Sequence, residues 1–378
     1  MTLAGALLPV LLDDFGISLM QAGSMLAFQP IGFLVAVSVA RRLIERWGLA
    51  AIVSLGILTA ALGFAAFASV SSWTAAAATM LVAGLGIGLA EVAANAAVIT
   101  VAYERSGNFL NFVHLFFGVG SFVTPVLATR ALAAGASWRS AFLVVAGLTA
   151  VVGLAWMLVR LAPARIVGDD AKTPRGRSAG AVVLLAVMLG LYVGTEMGVG
   201  GWLTKYLVAE HEVSLAAAGG VLSAYWFGLA AGRLLLSVVP LRSARLGEEG
   251  LLVLLSAAAS AALLVAVTST SFVASAVAFT LTGLGFSGIF PGVVALGGRY
   301  QPQAVAAATS VVITGAGLGN IVIPWVMSAV ADYAGVAAGM YVYAAMSIAL
   351  LVLAIMVQRR SARAASPPGL ANQPKDRS

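Results

Sequence analysis

The stretch Leu81–Pro125 reads LVAGLGIGLAEVAANAAVITVAYERSGNFLNFVHLFFGVGSFVTP. Two long apolar segments are joined there by a short polar turn, Tyr103–Asn108. The first segment carries a carboxylate, Glu91, with Asn95 one helical turn later; the second carries Asn111 and His114. A charge at the centre of a membrane helix costs roughly 3 kcal/mol or more, so a carboxylate kept in such a run is expected to face an interior cavity and to work there. Glu91 and Asn95 stand at i and i+4 and share a face with Gly84 and Gly88, small residues that let a helix or a ligand approach closely.

The rest of the chain supplies the setting. Of 378 residues, 61% are apolar and 9% charged, against about 25% charged in soluble domains. Many segments of the length needed to cross about 30 Å of hydrocarbon carry no charge. In lipid the backbone must satisfy its own hydrogen bonds, which makes the helix the default spanning element. The alternation of a transmembrane β-barrel is absent. With no cysteine, disulfides, thiolate metal sites and a cysteine nucleophile are excluded. No cleavable leader with a basic start and an A-x-A site is expected. The net charge of +7 sits in loops between spans and is no nucleic-acid signature.

Twelve spans are expected, from Thr2–Leu12 through a tenth at Phe272–Gly297 to a last at Val336–Val357. They divide into a six-helix bundle over 1–161, a linker over 162–178, a second six-helix bundle over 179–357 and a disordered tail over 358–378. Of 21 Lys and Arg, seventeen fall on the side of the linker and tail, three (Arg130, Arg139, Lys205) on the other, and Arg233 lies within a span. The excess places linker and C-terminus in the cytoplasm, of a protein that crosses the inner (plasma) membrane many times. The halves also repeat. Gly84, Gly86, Gly118, Gly120 and Pro125 recur as Gly283, Gly285, Gly317, Gly319 and Pro324 at an offset of 199, and Ser18, Gly23 and Gly32 as Ser214, Gly219 and Gly228 at 196. Two matched halves about an axis along the membrane normal are the plan of the major facilitator architecture. At that spacing the partner of the seventh span would begin before Met1, so helix 1 reads as truncated.

Further polar residues lie in the second half. Glu196 sits in a glycine-rich span, LYVGTEMGVGGWLTKYL, whose Gly194, Gly198, Gly200 and Gly201 weaken the helix as a binding site or gate would. It is the second proton-coupling candidate beside Glu91. Tyr225 and Trp226 could stack on a sugar face, whereas Trp202 and Tyr206, near a span end, fit an interfacial belt. Arg233 reads equally as a substrate ligand or as a side chain snorkelling to the interface. Asn320 and Gln29 are weaker polar candidates. No nucleotide-binding motif, no H-E-x-x-H and no G-x-S-x-G is present, and the two histidines do not belong to a ligand cluster. An enzyme, a metal site and a cofactor are therefore not expected.

The run Ala90-Glu91-Val92-Ala93-Ala94-Asn95, followed by Glu104–Gly107 and then Asn111 and His114, resembles helices 4 and 5 of the fucose:proton symporter family. In that family an E-T-A-A-N run precedes an E-S-S-G turn and a helix bearing Asn and Gln. Tyr192-Val193-Gly194, Phe227-Gly228 to Arg233, and Gly315–Pro324 with Asp332 are similar to it too. The resemblance implies an all-α membrane protein of the major facilitator fold, alternating access and proton symport, usually of a sugar. It puts Glu91 at the family's proton and substrate carboxylate and His114 at a sugar-contacting Gln. The chain departs from the family at Gly5, where a coupling Asp is expected, and in the loop after the second span, where Leu43, Glu45, Arg46 and Gly48 fit the superfamily signature but Arg41, Leu49 and Ala50 do not.

The expected function is proton-coupled symport of a small polar solute, with Glu91 and Glu196 handling protons and Asn95, Asn111, His114, Tyr225, Trp226 and Asn320 binding substrate. Proton-antiport efflux of amphipathic compounds and a non-translocating receptor are the alternatives. The expected partners are a small molecule, protons and the lipid bilayer, with no nucleic acid, and the chain is expected to be a monomer.

Overall fold

The computed structural model describes residues 2–102, 106–159, 177–238, 247–301 and 305–365, with the side chains of 99–102, 106–115, 177–178, 237–238, 305–306 and 362–365 outside that description. The described residues form helices and no strand: α1 Thr2–Ala6, α2 Leu8–Phe15, α3 Leu19–Trp47, α4 Leu49–Ser69, α5 Trp73–Ala102, α6 Ser106–Ala133, α7 Trp138–Trp156, α8 Arg177–Glu210, α9 Leu215–Val238, α10 Gly247–Thr268, α11 Phe272–Phe286, α12 Ile289–Tyr300, α13 Val305–Ala334 and α14 Val336–Ala365. Among the described residues, eleven helices are long and apolar enough to cross a membrane.

The helix boundaries follow local chemistry. Ser18 and Gln21 make a reciprocal capping box that starts α3. Gly16, Gly48 and Gly335 take positive φ between consecutive helices, which turns the chain with no Cβ penalty. Two expected spans are each broken in two. The first bends at Leu7, where Pro9 opens α2 without an N–H to give. The tenth breaks at Ser287–Gly288, just before Pro291, and resumes as α12. At the other end α14 runs on to Ala365, past the Val357 boundary, through an Arg- and Ala-containing stretch that favours helix. The linker residues 162–176 and the tail beyond Ala365 lie outside the described residues.

The repeat is built into the packing. On α5, Gly84 lies against the backbone carbonyl of Gln29 on α3, and on α11 Gly283 lies against that of Tyr225 on α9. Gly32 and Gly228 return the contact, on Leu81 and Leu85 in one half and on Thr280 and Leu284 in the other. Gly86 meets Ala60 as Gly285 meets Ala259. Every one of these pairs is related by the offsets of the sequence repeat, so the two bundles share one internal design.

Two expectations fail here. Trp202 and Tyr206 are not belt residues: both are buried, at 0% and 2% exposure. The Tyr206 hydroxyl donates to the Val267 carbonyl at 3.2 Å, and Ser275 donates to Ala266, so both cap orphan carbonyls at the end of α10. Tyr206→Phe should therefore cost about 1 kcal/mol, read as a lowered melting temperature in detergent with transport intact. Nor do the glycines of the seventh span interrupt it, since α8 is continuous through all of them. They seat neighbours instead: Gly194 against Gly319 of α13, Gly198 under the Tyr343 ring and Gly200 under Trp226.

Candidate functional site

The two halves meet along three seams. Gly5 of α1 faces Gly200 and Gly201 of α8, and the Thr204 hydroxyl donates to the Gly5 carbonyl. On α3, Gly23 and Leu34 press on Ser328 and Gly317 of α13; on α9, Gly219 and Ala230 press on Thr129 and Gly118 of α6. Each of these pairs is eleven residues apart on its helix, and eleven residues turn an α-helix through about 20° beyond whole turns, so each pair marks one stripe. Followed further along α3, the stripe comes to Val37, Ser38 and Arg41, all exposed; on α13 it comes to Thr314 and Ser310, also exposed; on α9 it comes to Arg233 and to Leu234, 63% exposed. The halves are thus in contact at the end holding residues 16–18, and along α3 and α13 the stripes become exposed toward the end holding Arg41 and Arg42.

Glu91 is an exposed carboxylate on α5 of the first half. Every α5 residue from Thr79 to Ala90 is at least half-covered, and Glu91 is the next exposed one. It continues the stripe of Met80, which is buried in the same cluster as Leu3 of α1 and Leu8 of α2, and it turns away from the α4 seam at Gly86 and Ala90. Gly84 and Gly88 are occupied by α3 backbone and side chains rather than open to a ligand. Asn95 is half-buried one turn further on. The side chains of Asn111 and His114, on α6, lie outside the described residues.

The second half holds a denser polar group. Glu196 on α8 is 2% exposed, and the Nη2 of Arg233 on α9 stands 3.7 Å from its Oε1. The Tyr225 hydroxyl donates to the Glu196 backbone carbonyl at 2.9 Å. Tyr192, one turn before Glu196, lies beside both charges, and Tyr343 of α14 adjoins Tyr225. Among the described residues the Tyr343 hydroxyl, Trp226 Nε1 and Asn320 Oδ1 have no hydrogen-bond partner, and Tyr192 and Glu196 interact outside ordinary hydrogen-bond geometry. Buried polar groups are paired in the large majority of cases, so these are candidate contacts for the polar atoms of a solute. Tyr225 and Trp226 are buried with their rings 5.2 Å apart, and Phe117 of α6 meets Trp226 edge-on at 6.1 Å. Asn320 is half-buried on α13.

The sequence reading had no place for Tyr343, touched Tyr192 only through the family resemblance, and left Arg233 divided between two roles. A signal for Arg233 was available: it is the single Lys or Arg within a span, and Glu196 is the mid-span carboxylate of the same half. A buried charge needs a partner. Among the described residues no group of three His, Cys, Asp or Glu could hold a metal.

Comparison with known proteins agrees with this architecture. The family model of the Major Facilitator Superfamily matches twice, over residues 1–249 and 184–376. A curated relative, the bypass of stop codon protein 6 of Saccharomyces cerevisiae, is 23% identical over 270 residues, or 62% of this chain; the chain spans about half (53%) of that relative's length. Among solved structures, a bacterial homologue of the human lysosomal transporter Spinster, inward-facing and unoccupied, is 15% identical with a TM-score of 0.73, covering 97% of this chain and 95% of that one. The fucose:proton symporter of E. coli is 20% identical with a TM-score of 0.59, covering 94% and 95%.

Proposed function

The chain belongs to the Major Facilitator Superfamily and is a multi-pass membrane transporter rather than an enzyme; from that premise we propose that it is a proton-coupled symporter of a small polar solute, a sugar or sugar derivative, working by alternating access. The observation that carries the proposal is a carboxylate, Glu91, exposed on α5 directly after the covered run Thr79–Ala90, which we read as bordering a gap between the bundles. A charge there is affordable only in contact with water, and a carboxylate so placed can exchange protons with whichever side the gap opens to. Rocking of the bundles about their glycine seams would move the opening from one end to the other.

In this reading Glu91 carries the proton. Asn95, Asn111, His114 and Asn320 hydrogen-bond the solute, Tyr225 and Trp226 form an apolar floor for it, and Glu196 is the second proton-responsive carboxylate. The bundles comprise 1–161 and 179–357, joined through 162–178. The excess of Lys and Arg supports a cytoplasmic linker and C-terminus in the inner (plasma) membrane, which makes the gap open to the cytoplasm. Two matched halves in one chain support a pathway formed by a single copy, a monomer.

Glu91→Gln tests the coupling. In proteoliposomes with an imposed pH gradient, the variant should lose at least tenfold of uphill accumulation while keeping solute exchange, because an amide hydrogen-bonds but does not titrate. Unchanged accumulation would reject the role. Competition by lipophilic cations instead of sugars would favour efflux, and binding without counterflow would favour a receptor.

A further inference from the structure

We propose that the solute carries a carboxylate, and that Arg233 receives it while Glu196 takes up one proton in exchange. The inference rests on the transport reading of the gap and narrows the substrate to an organic anion, such as a sugar acid.

Arg233 is placed to meet solute. It lies on the α9 stripe of Trp226 and Ala230, which meet Phe117 and Gly118 of α6 in the other half, one turn beyond the last seam contact. Its side chain is 37% exposed there, while that of its partner Glu196 is 3% exposed. A guanidinium offers five N–H donors in a planar fork suited to a carboxylate. Glu196 engages it from a single atom at 3.7 Å, beyond hydrogen-bond range. The pair is therefore close enough to balance charge and too loose to occupy the fork. Beside it stands the Tyr192 hydroxyl, which can serve the polar atoms of an attached polyol.

Charge balance supplies the coupling. With the site empty, Arg233 and Glu196 neutralise each other. A carboxylate arriving at Arg233 adds a negative charge in a poorly solvated place, where like charges repel strongly. Protonation of Glu196 removes the surplus, leaving one guanidinium and one anion. By linkage, whatever makes anion binding favour proton uptake makes proton uptake favour anion binding. The other groups that titrate near this pair are Tyr192 on its own helix, Tyr225 on α9 and Tyr343 on α14. The other charges on helices packed against α8 lie toward helix ends: Asp13 and Asp14 on α2, Arg299 on α12, Asp332 on α13, and Arg359 and Arg360 on α14; Asp14 pairs with Arg139, Arg299 with Glu248 and Glu249, and Asp332 accepts from the Met20 N–H. None of these competes for the role.

The test uses purified full-length protein and a panel of aldonates, uronates and short hydroxy acids, each paired with its neutral alcohol or amide. At least one acid should raise the melting temperature more than its neutral counterpart does. Calorimetry in two buffers of different ionisation enthalpy should show about one proton taken up per anion bound. Glu196→Gln should still bind the acid but without proton uptake. Arg233→Gln should bind it at least tenfold more weakly. If Arg233→Gln alone misfolds, the double variant Arg233→Gln/Glu196→Gln removes both charges together and should fold without binding the acid. Equal binding of acids and neutral counterparts, no shift by any acid, or anion binding with no protons taken up in wild type would each overturn the proposal. Proton-driven uptake of a neutral sugar that needs Glu91 but not Arg233 would remove this inference and leave the transport reading standing.

Discussion

Gly319→Val is expected to abolish the folded protein rather than weaken it. Gly319 of α13 faces Gly190 and Gly194 of α8, and a Cβ built on it would fall on the Gly190 carbonyl and only 2.5 Å from the Gly190 Cα. One turn before it, Gly315 lies against the Ala186 carbonyl. Two four-spaced glycine pairs thus let α8 and α13 touch backbone to backbone, where packing and not the hydrophobic effect drives association. Overpacking costs about 1–3 kcal/mol when side chains can yield. Here the obstacle is main chain, which no rotamer change relieves, so a cost above about 4 kcal/mol is expected, a large share of any protein's net stability. Loss of monodisperse protein on extraction checks this. The control is Gly147→Ala on α7, where a methyl meets nothing within 4 Å; it should be neutral or stabilise by up to about 1 kcal/mol. Normal yield and melting of Gly319→Val would mean that α8 and α13 do not pack in this way.

Joining the halves by a disulfide should stop transport reversibly. The chain has no cysteine, so an introduced pair would be the sole thiols. A Cβ on Gly118 of α6 would stand 3.3 Å from the Ala230 Cβ of α9, just under the usual 3.5–4.5 Å of a disulfide. In Gly118→Cys/Ala230→Cys, oxidation should cut solute flux at least tenfold and reduction should restore it. Each single variant should keep transport under both conditions. The reason is geometric: a bundle tied to its partner at the seam cannot part there, and alternating access requires that it does. Full flux through the oxidised pair would show that the α6–α9 seam stays shut throughout the cycle.

Several features of this molecule could be read before any coordinates. Charge-free segments long enough to span, no β alternation and a doubled glycine pattern led to helices in two matched bundles. The glycine offsets proved to be packing offsets, because a glycine marks a backbone approach that only its own partner helix can make. Glu91 stood out because lipid penalises a lone acid. The breaks at Leu7 and at Ser287–Gly288 were harder to foresee, since Pro9 and Pro291 lie close to positions where a helix tolerates them. The glycines of α8 misled, because a residue that weakens a helix locally is the same residue that lets Trp226, Tyr343 and α13 come near.

The sequence by itself determined the class, the repeat and the presence of acids in apolar helices, since these follow from composition, spacing and the cost of charge in hydrocarbon. Only the tertiary structure decided which groups meet. Arg233 is 37 residues from Glu196, and α9 must fold back beside α8 before a guanidinium, a carboxylate and three tyrosines share one place. Whether Trp202 faces lipid or core, and at which end the bundles part, likewise depend on contacts between helices far apart in the chain, which no local pattern encodes.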